Sequence, residues 1–138
     1  MSVEENKAVA RRIVEEVFNN GDLSLIPELI SPDYILHGSM ELKGQEGFRQ
    51  YVRAVRSGFP DVHLTIANIF ADGEMVAIFY TVTGAFKGEF RGIPPTGRKL
   101  SWPVAILCRY ADAREIETWG YSDMLTFYQQ LGVTPPKQ

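Results

Sequence analysis

Cysteine occurs once in this chain of 138 residues, at Cys108, and histidine only twice, at His37 and His63. One thiol excludes an internal disulfide and every multi-thiolate zinc site, and two imidazoles exclude a three-His metal site, leaving a mixed His/carboxylate site as the formal remainder. Long apolar runs are missing as well. The longest, Met75 to Tyr80, is far below the roughly 18 residues that cross a bilayer. The opening Met-Ser-Val-Glu-Glu is acidic where a signal peptide is basic and then apolar, so a cytoplasmic protein without membrane attachment is expected. No charge of one sign dominates: net charge is −3, with seven basic and ten acidic residues over 1–69 and seven of each over 70–138. Nothing in that balance recruits nucleic acid. The chain also has no Gly-x-Gly-x-x-Gly, no phosphate loop ending in Gly-Lys-Ser/Thr and no Gly-x-Ser-x-Gly elbow. Dinucleotide, nucleotide and serine-hydrolase chemistry thereby lose their usual support, and any catalysis falls to ordinary side chains.

What is present is a core. Apolar residues make up 45% of the chain, with eight Phe, six Tyr and two Trp, enough to fill an interior and wall a cavity. The length predicts one domain over residues 1–138.

Ser2-Val3-Glu4-Glu5 reads as a capping box, and Ala10, Ile13, Val14, Val17 and Phe18 recur at helical spacing up to a stop at Asn20-Gly21. Ser24 to Ile30 allows one or two helical turns. Ser31-Pro32-Asp33 is expected to break the chain before a short strand, Tyr34 to His37, on which Ile35 and His37 share a face. A helix over Gln45 to Ser57 carries Phe48, Tyr51, Val52 and Val55 on one stripe and ends at Gly58-Phe59-Pro60-Asp61. From Val62 the period changes to two. Val62, Leu64 and Ile66 form one parity and Val76, Ile78, Tyr80 and Val82 another, joined by a hairpin at Asp72-Gly73. Gly88 to Gly97 is too rich in Gly and Pro for a ladder and reads as a loop, either a lid or a hairpin end. Strands over Leu100 to Tyr110 and Arg114 to Tyr121, a helix from about Asp123 to Leu131, and a frayed Pro-Pro-Lys-Gln tail complete the reading. Helices followed by hairpin-joined strands indicate α+β, with helices against one sheet face; because both parities of Leu100 to Tyr110 are apolar, the other face is expected to meet a second subunit.

Asp123 stands where the last strand gives way to the last helix, so it either caps that helix or presents an acid to a pocket. In an unbroken strand Glu117, Trp119, Tyr121 and Asp123 lie on one face. Arg109, set among apolar neighbours, needs a carboxylate such as Glu117 or must reach a ligand. His37 is either a hydrogen-bonded core or rim residue or a pocket group, and His63 occupies the polar parity of its strand.

Several stretches in order resemble the SnoaL-like polyketide and ester cyclases of the nuclear-transport-factor-2-like superfamily: Tyr34-x-x-His37, Gly44-x-Glu46-Gly47-Phe48, Phe59-Pro60-Asp61, Asp72-Gly73-x-x-Val76-Ala77, Gly92-x-Pro94-Pro95-Thr96-Gly97, Arg109, Ile116-Glu117-x-Trp119-x-x-x-Asp123 and Gln130-Leu131-Gly132. The resemblance implies a cone-shaped α+β barrel, a curved mixed or antiparallel sheet wrapped around helices with an internal pocket. It implies homo-oligomers, dimers or tetramers, and an acid/base aspartate working without cofactor or metal. It assigns that role to Asp123, with desolvation raising its pKa, and places His37 beside it to hold or protonate a carbonyl. Tyr34, Phe59, Phe86, Trp119 and Arg109 are then expected around a small hydrophobic carbonyl substrate. The implied chemistry is proton removal alpha to a carbonyl, followed by intramolecular aldol closure or isomerisation. Two departures stand out. Relatives often read Gly-Thr-His-x-Gly where this chain has Gly84-Ala85-Phe86-Lys87-Gly88, and an Asp-Gly turn where it has Asp112-Ala113. The first favours a rival, a non-catalytic module for a hydrophobic ligand or for assembly. A third reading, an epoxide or lactone hydrolase, needs an Asp-Arg-Asp network with Asp61 or Asp33 beside Arg109 and Asp123.

Overall fold

The computed structural model describes residues 2–38 and 41–133. Helix α1 (Val3–Arg12) starts at the expected capping box, in which Ser2 and Glu5 satisfy each other's backbone N–H. It runs directly into a π-helical segment, Ile13–Asn19, before the left-handed Gly21. A 3-10 turn (Leu23–Leu25) and a short α2 (Ile26–Leu29) lead into β1 (Ile30–His37). Strand β2 (Leu42–Lys43), which had no counterpart in the sequence pattern, precedes α3 (Gly44–Gly58). Then come β3 (His63–Asp72), β4 (Met75–Ala85), β5 (Lys99–Ala111), β6 (Arg114–Ser122) and α4 (Met124–Leu131). The expectation for the Pro-Pro-Lys-Gln tail lies outside the described residues.

All six strands form one mixed sheet in the order β2-β1-β6-β5-β4-β3. Every pairing is antiparallel except β1 with β6, which is parallel. Strand β1 is longer than expected: Ser31-Pro32-Asp33 does not end it but forms an irregularity between Ile30 and Ile35, because these residues need no ladder partner there. One sheet face packs on the helices. Along β4 and β5 the even-numbered residues Val76, Ile78, Val82, Leu100, Trp102, Val104, Cys108 and Tyr110 are buried on that face with Val17, Ile26, Val52 and Phe59.

Two bulges re-phase the alternation. In β3 the register shifts between Ile66 and Asn68, so Leu64 and Ile66 point inward before it and Ile69 and Ala71 after it, sending Phe70 outside. In β6 the register shifts opposite Arg109/Tyr110: Glu117 pairs with Arg109 but Glu115 with Tyr110, leaving Ile116 as the extra residue. Inward-facing Tyr110 thereby draws Glu115 inward.

An aromatic cluster locks the loop between β4 and β5. Phe59 stacks on Phe86 at 5.3 Å and meets Phe90, Trp102 and Phe127 edge-on or tilted. The Lys87 and Gly88 N–H groups both donate to the Gly58 carbonyl, at 3.0 and 3.1 Å, and a Cβ on Gly88 would lie 2.2 Å from the Ser57 oxygen. Helix α4 is moored to β5 by Gln130, whose side chain accepts from the Ser101 N–H and donates to its carbonyl.

The β5–β6 turn has Asp112 at φ 52° and Ala113 at φ 63°, a left-handed pair that an Asp-Gly turn adopts without strain. Ala113→Gly should therefore stabilise the fold by about 0.5–1 kcal/mol, net of the larger chain entropy of glycine. Urea denaturation checks it, and a destabilised variant would show the turn to be unstrained.

Candidate functional site

Between the helices and the inner sheet face lie two adjoining chambers of about 40 and 60 Å³. Phe18, Tyr51, Leu64, Tyr80, Val104 and Ser122 border both. The smaller extends under the β4–β5 loop and α4, to Phe59, Phe90, Arg91, Trp102 and Met124. The larger extends to Tyr34, Tyr110, Glu115 and Thr118 at its far end. The π-helical segment makes room for this arrangement. Its wider turn puts Ile13, Val14, Val17 and Phe18 all on the buried side, and three of them form chamber wall.

The walls are apolar and aromatic with a few hydroxyls, the composition of a small-molecule site. Burial pushes the phenols of Tyr34, Tyr51, Tyr80 and Tyr110 above their ordinary pKa, so at neutral pH they are hydrogen-bond donors. Burial likewise pushes the Cys108 thiol up, which makes it a weak donor rather than a thiolate nucleophile. Two residues depart from that lining, the exposed Arg91 of the β4–β5 loop and the buried Glu115. Glu115 is only 3% exposed, and its hydrogen-bonding neighbours Tyr110, Thr118 and Cys108 are all neutral. The Tyr110 hydroxyl donates to Glu115 Oε1 at 3.2 Å, and the Thr118 hydroxyl reaches Cys108 Sγ at 3.7 Å. Desolvation outweighs these bonds and raises the Glu115 carboxyl to about 7.

The comparisons with known proteins agree with this architecture. Residues 8–131 match the SnoaL-like polyketide cyclase family. The chain belongs to that family. It is 30% identical over 129 residues to the aklanonic acid methyl ester cyclase DnrD of Streptomyces peucetius, covering 90% of this chain and 88% of DnrD. Among solved structures it resembles IdmH of Streptomyces antibioticus, proposed as a polyketide cyclase, at 32% identity and a TM-score of 0.80 over 93% of this chain and 99% of IdmH. AclR of Streptomyces galilaeus, proposed as a hydroxylase, superimposes with a TM-score of 0.84 at 30% identity, over 99% of this chain and 87% of AclR. The α+β fold read from the sequence, with its mixed sheet around helices, is the fold these proteins share.

Within this SnoaL-like scaffold the residues singled out from the sequence divide by strand face. Tyr34 and Phe59 line the chambers. Phe86 is fully buried but packs against both Phe59 and Phe127 outside the chamber linings, as core rather than wall. His37, Trp119 and Arg109 are on the opposite, outer face, which corrects the expectation that they surround a pocket. The His37 Nε2 lies 2.7 Å from Glu117 Oε2 and its ring stacks on Trp119 at 5.3 Å. Arg109 sits over Trp119 and between Glu117 and Glu74, at 3.8 and 3.5 Å, so the anticipated Arg109–Glu117 pair is formed. With these glutamates as its partners, Arg109 does not build the Asp-Arg-Asp network of a hydrolase.

Asp123 needs the largest correction. It is exposed and caps α4, accepting from the Thr126 N–H at 3.1 Å and the Thr126 hydroxyl at 2.6 Å. Those bonds lower its pKa, opposite to the rise that burial was expected to produce. The reason is parity. Glu117, Trp119 and Tyr121 share the outer face, and Asp123, following them, borders an open hollow there with Phe79, Pro103, Ala105 and Tyr121. Glu115, missed in the sequence, has the same odd parity and reads as an outer-face residue until the Ile116 bulge is known. No signal in a single sequence marks that bulge.

A carboxyl held at about 7 when folded and near 4.5 when unfolded binds an extra proton in the folded state between those limits. Stability should therefore be fullest below about pH 4.5 as far as this group is concerned, decline as pH rises through about 7, and stay lower above, a loss of about 3 kcal/mol. The difference between wild type and Glu115→Gln in urea unfolding from about pH 5 to 8 measures it. Parallel pH profiles would mean that the carboxyl is solvated.

Proposed function

We propose that this protein is a cofactor-independent acid/base enzyme of the polyketide and ester cyclase type, acting on a small hydrophobic carbonyl compound held inside the cone. The observation that carries the reading is the internal chamber itself: aromatic walls, neutral phenol donors and a path to the β4–β5 loop, in a chain of this family. Such walls fold a flexible substrate into a reactive shape and exclude water, while phenols stabilise negative charge developing on a carbonyl oxygen. Relatives such as DnrD are named for closing aklanonic acid methyl ester, and that compound is the natural probe.

Volume limits how it binds. About 60 Å³ is well under the 300–1,000 Å³ of ordinary ligand sites, so binding requires the wall to open. Arg91, exposed on the β4–β5 loop, and Met124, in the first turn of α4, border the smaller chamber. Incubation of the purified protein with aklanonic acid methyl ester should give a ring-closed product by chromatography. Val104→Phe, which narrows both chambers from the wall they share, should abolish that turnover while overpacking costs about 1–3 kcal/mol of stability. Full turnover in a folded Val104→Phe protein would move the chemistry out of the cone. Binding of the ester without any turnover would establish instead the rival reading, a non-catalytic ligand module, which the exposed position of Asp123 favours.

The outer sheet face suits a second copy of the chain. Phe70, Phe79, Leu107 and Tyr121 are exposed on it, Tyr121 by 67%. Two such faces laid together cover the apolar surface that each leaves in water, and a homodimer is the assembly proposed. Phe79→Glu should convert the dimer to a monomer in light scattering coupled to size exclusion; an oligomer unaffected by this charge would place the interface elsewhere. With Cys108 buried and unpaired, a reducing cytoplasm suits the protein.

A further inference from the structure

Burying a carboxyl among neutral groups is costly, and a leucine-sized apolar side chain would fill the same space without that cost. Glu115 is nevertheless placed in the wall of the larger chamber by a bulge that reverses the facing its position in β6 would otherwise have. The groups that face it come from four strands: Tyr110 and Cys108 of β5, Thr118 of β6, Tyr34 of β1 and Tyr80 of β4. The π-helical segment and α1 contribute only apolar side chains there, Ala10, Ile13 and Val14. All the polar neighbours are neutral donors, so they hold the carboxyl in place without fixing its charge.

We propose that Glu115, not Asp123, is the proton-transfer group of the reaction, a catalytic acid/base in contact with the substrate in the larger chamber. This rests on the cyclase reading above and supplies the interior acid that the reading lacks. As a carboxylate, Glu115 takes the proton alpha to a carbonyl; the C–H pair moves to the carbonyl oxygen as an enolate, stabilised by a phenol donor such as Tyr80. The enolate carbon then attacks a second carbonyl carbon of the same molecule, forming the C–C bond as that C=O π pair becomes an alkoxide. The alkoxide recovers the proton from the Glu115 carboxylic acid, which returns to carboxylate. No electron is gained or lost and no co-reactant is consumed. Tyr110, bonded to Oε1, orients the carboxyl and is a positioning residue. The raised pKa near neutrality suits a base that must also return its proton.

The test compares wild type, Glu115→Gln and Glu117→Gln, the last removing a carboxylate two residues away on the outer face. Ring closure of aklanonic acid methyl ester is followed across pH, with binding of the ester measured separately. Glu115→Gln should lose on the order of 100-fold or more in kcat with binding little changed, and Glu117→Gln should stay within a few-fold of wild type. The wild-type rate should rise with pH through about 7, as the carboxylate forms, and this limb should vanish in Glu115→Gln. If Glu115→Gln does not fold, Glu115→Asp should keep the pH limb with a reduced rate. Equal kcat in a folded Glu115→Gln protein, or a wild-type rate flat through about pH 7, overturns the assignment and leaves the cyclase reading standing. Binding with no turnover by wild type overturns both.

Discussion

A six-stranded sheet that closes around its helices must decide, strand by strand, which side chains meet the interior, and in this protein that decision turns on one extra residue in β6. With Ile116 unpaired, Glu115 lies opposite Tyr110 instead of on the side of Glu117, Trp119 and Tyr121. Strand alternation has a period of two, so a single inserted residue exchanges the two faces for everything beyond it. A carboxyl that would have lain in water is thereby set in an apolar chamber, and its protonation, its effect on stability and the chemistry available to the chamber all follow from that placement.

The remaining walls serve this interior. The π-helical segment spreads four apolar residues over the chamber side, and the cluster around Phe59 and Phe127 ties the β4–β5 loop and α4 to the sheet end. Phe86 belongs to this cluster. Its ring packs against Phe59 outside the chamber linings, and the buried polar groups of the interior gather around Glu115 instead. The outer face carries a separate electrostatic group, His37, Glu117, Arg109 and Glu74 around Trp119, which ties β1, β6 and β5 together side by side.

Much of the fold was legible in the sequence because its signals are local. The capping box at Ser2, the stop at Gly21, the stripe of α3, the hairpin at Asp72-Gly73 and the alternation in β4 and β5 each depend on neighbours within a turn or a strand, and each lies where those patterns put it. The site was legible only in part. Tyr34 and Phe59 border the chambers, but His37, Trp119 and Arg109 are on the other face, and Asp123 caps its helix in solvent. The alternation of β6 correctly grouped Glu117, Trp119 and Tyr121; what it could not say was which side of the sheet the group faces.

By itself, then, the sequence determined the class of fold, the order of its elements and the membership of each strand parity, because hydrophobic period and turn chemistry are written in consecutive residues. Tertiary structure alone decided which parity looks inward and where a bulge exchanges the two. Those depend on pairing between strands remote in the chain, Tyr110 with Glu115 and His37 with Trp119, and on the free energy of the whole packed sheet rather than on any residue's own preference.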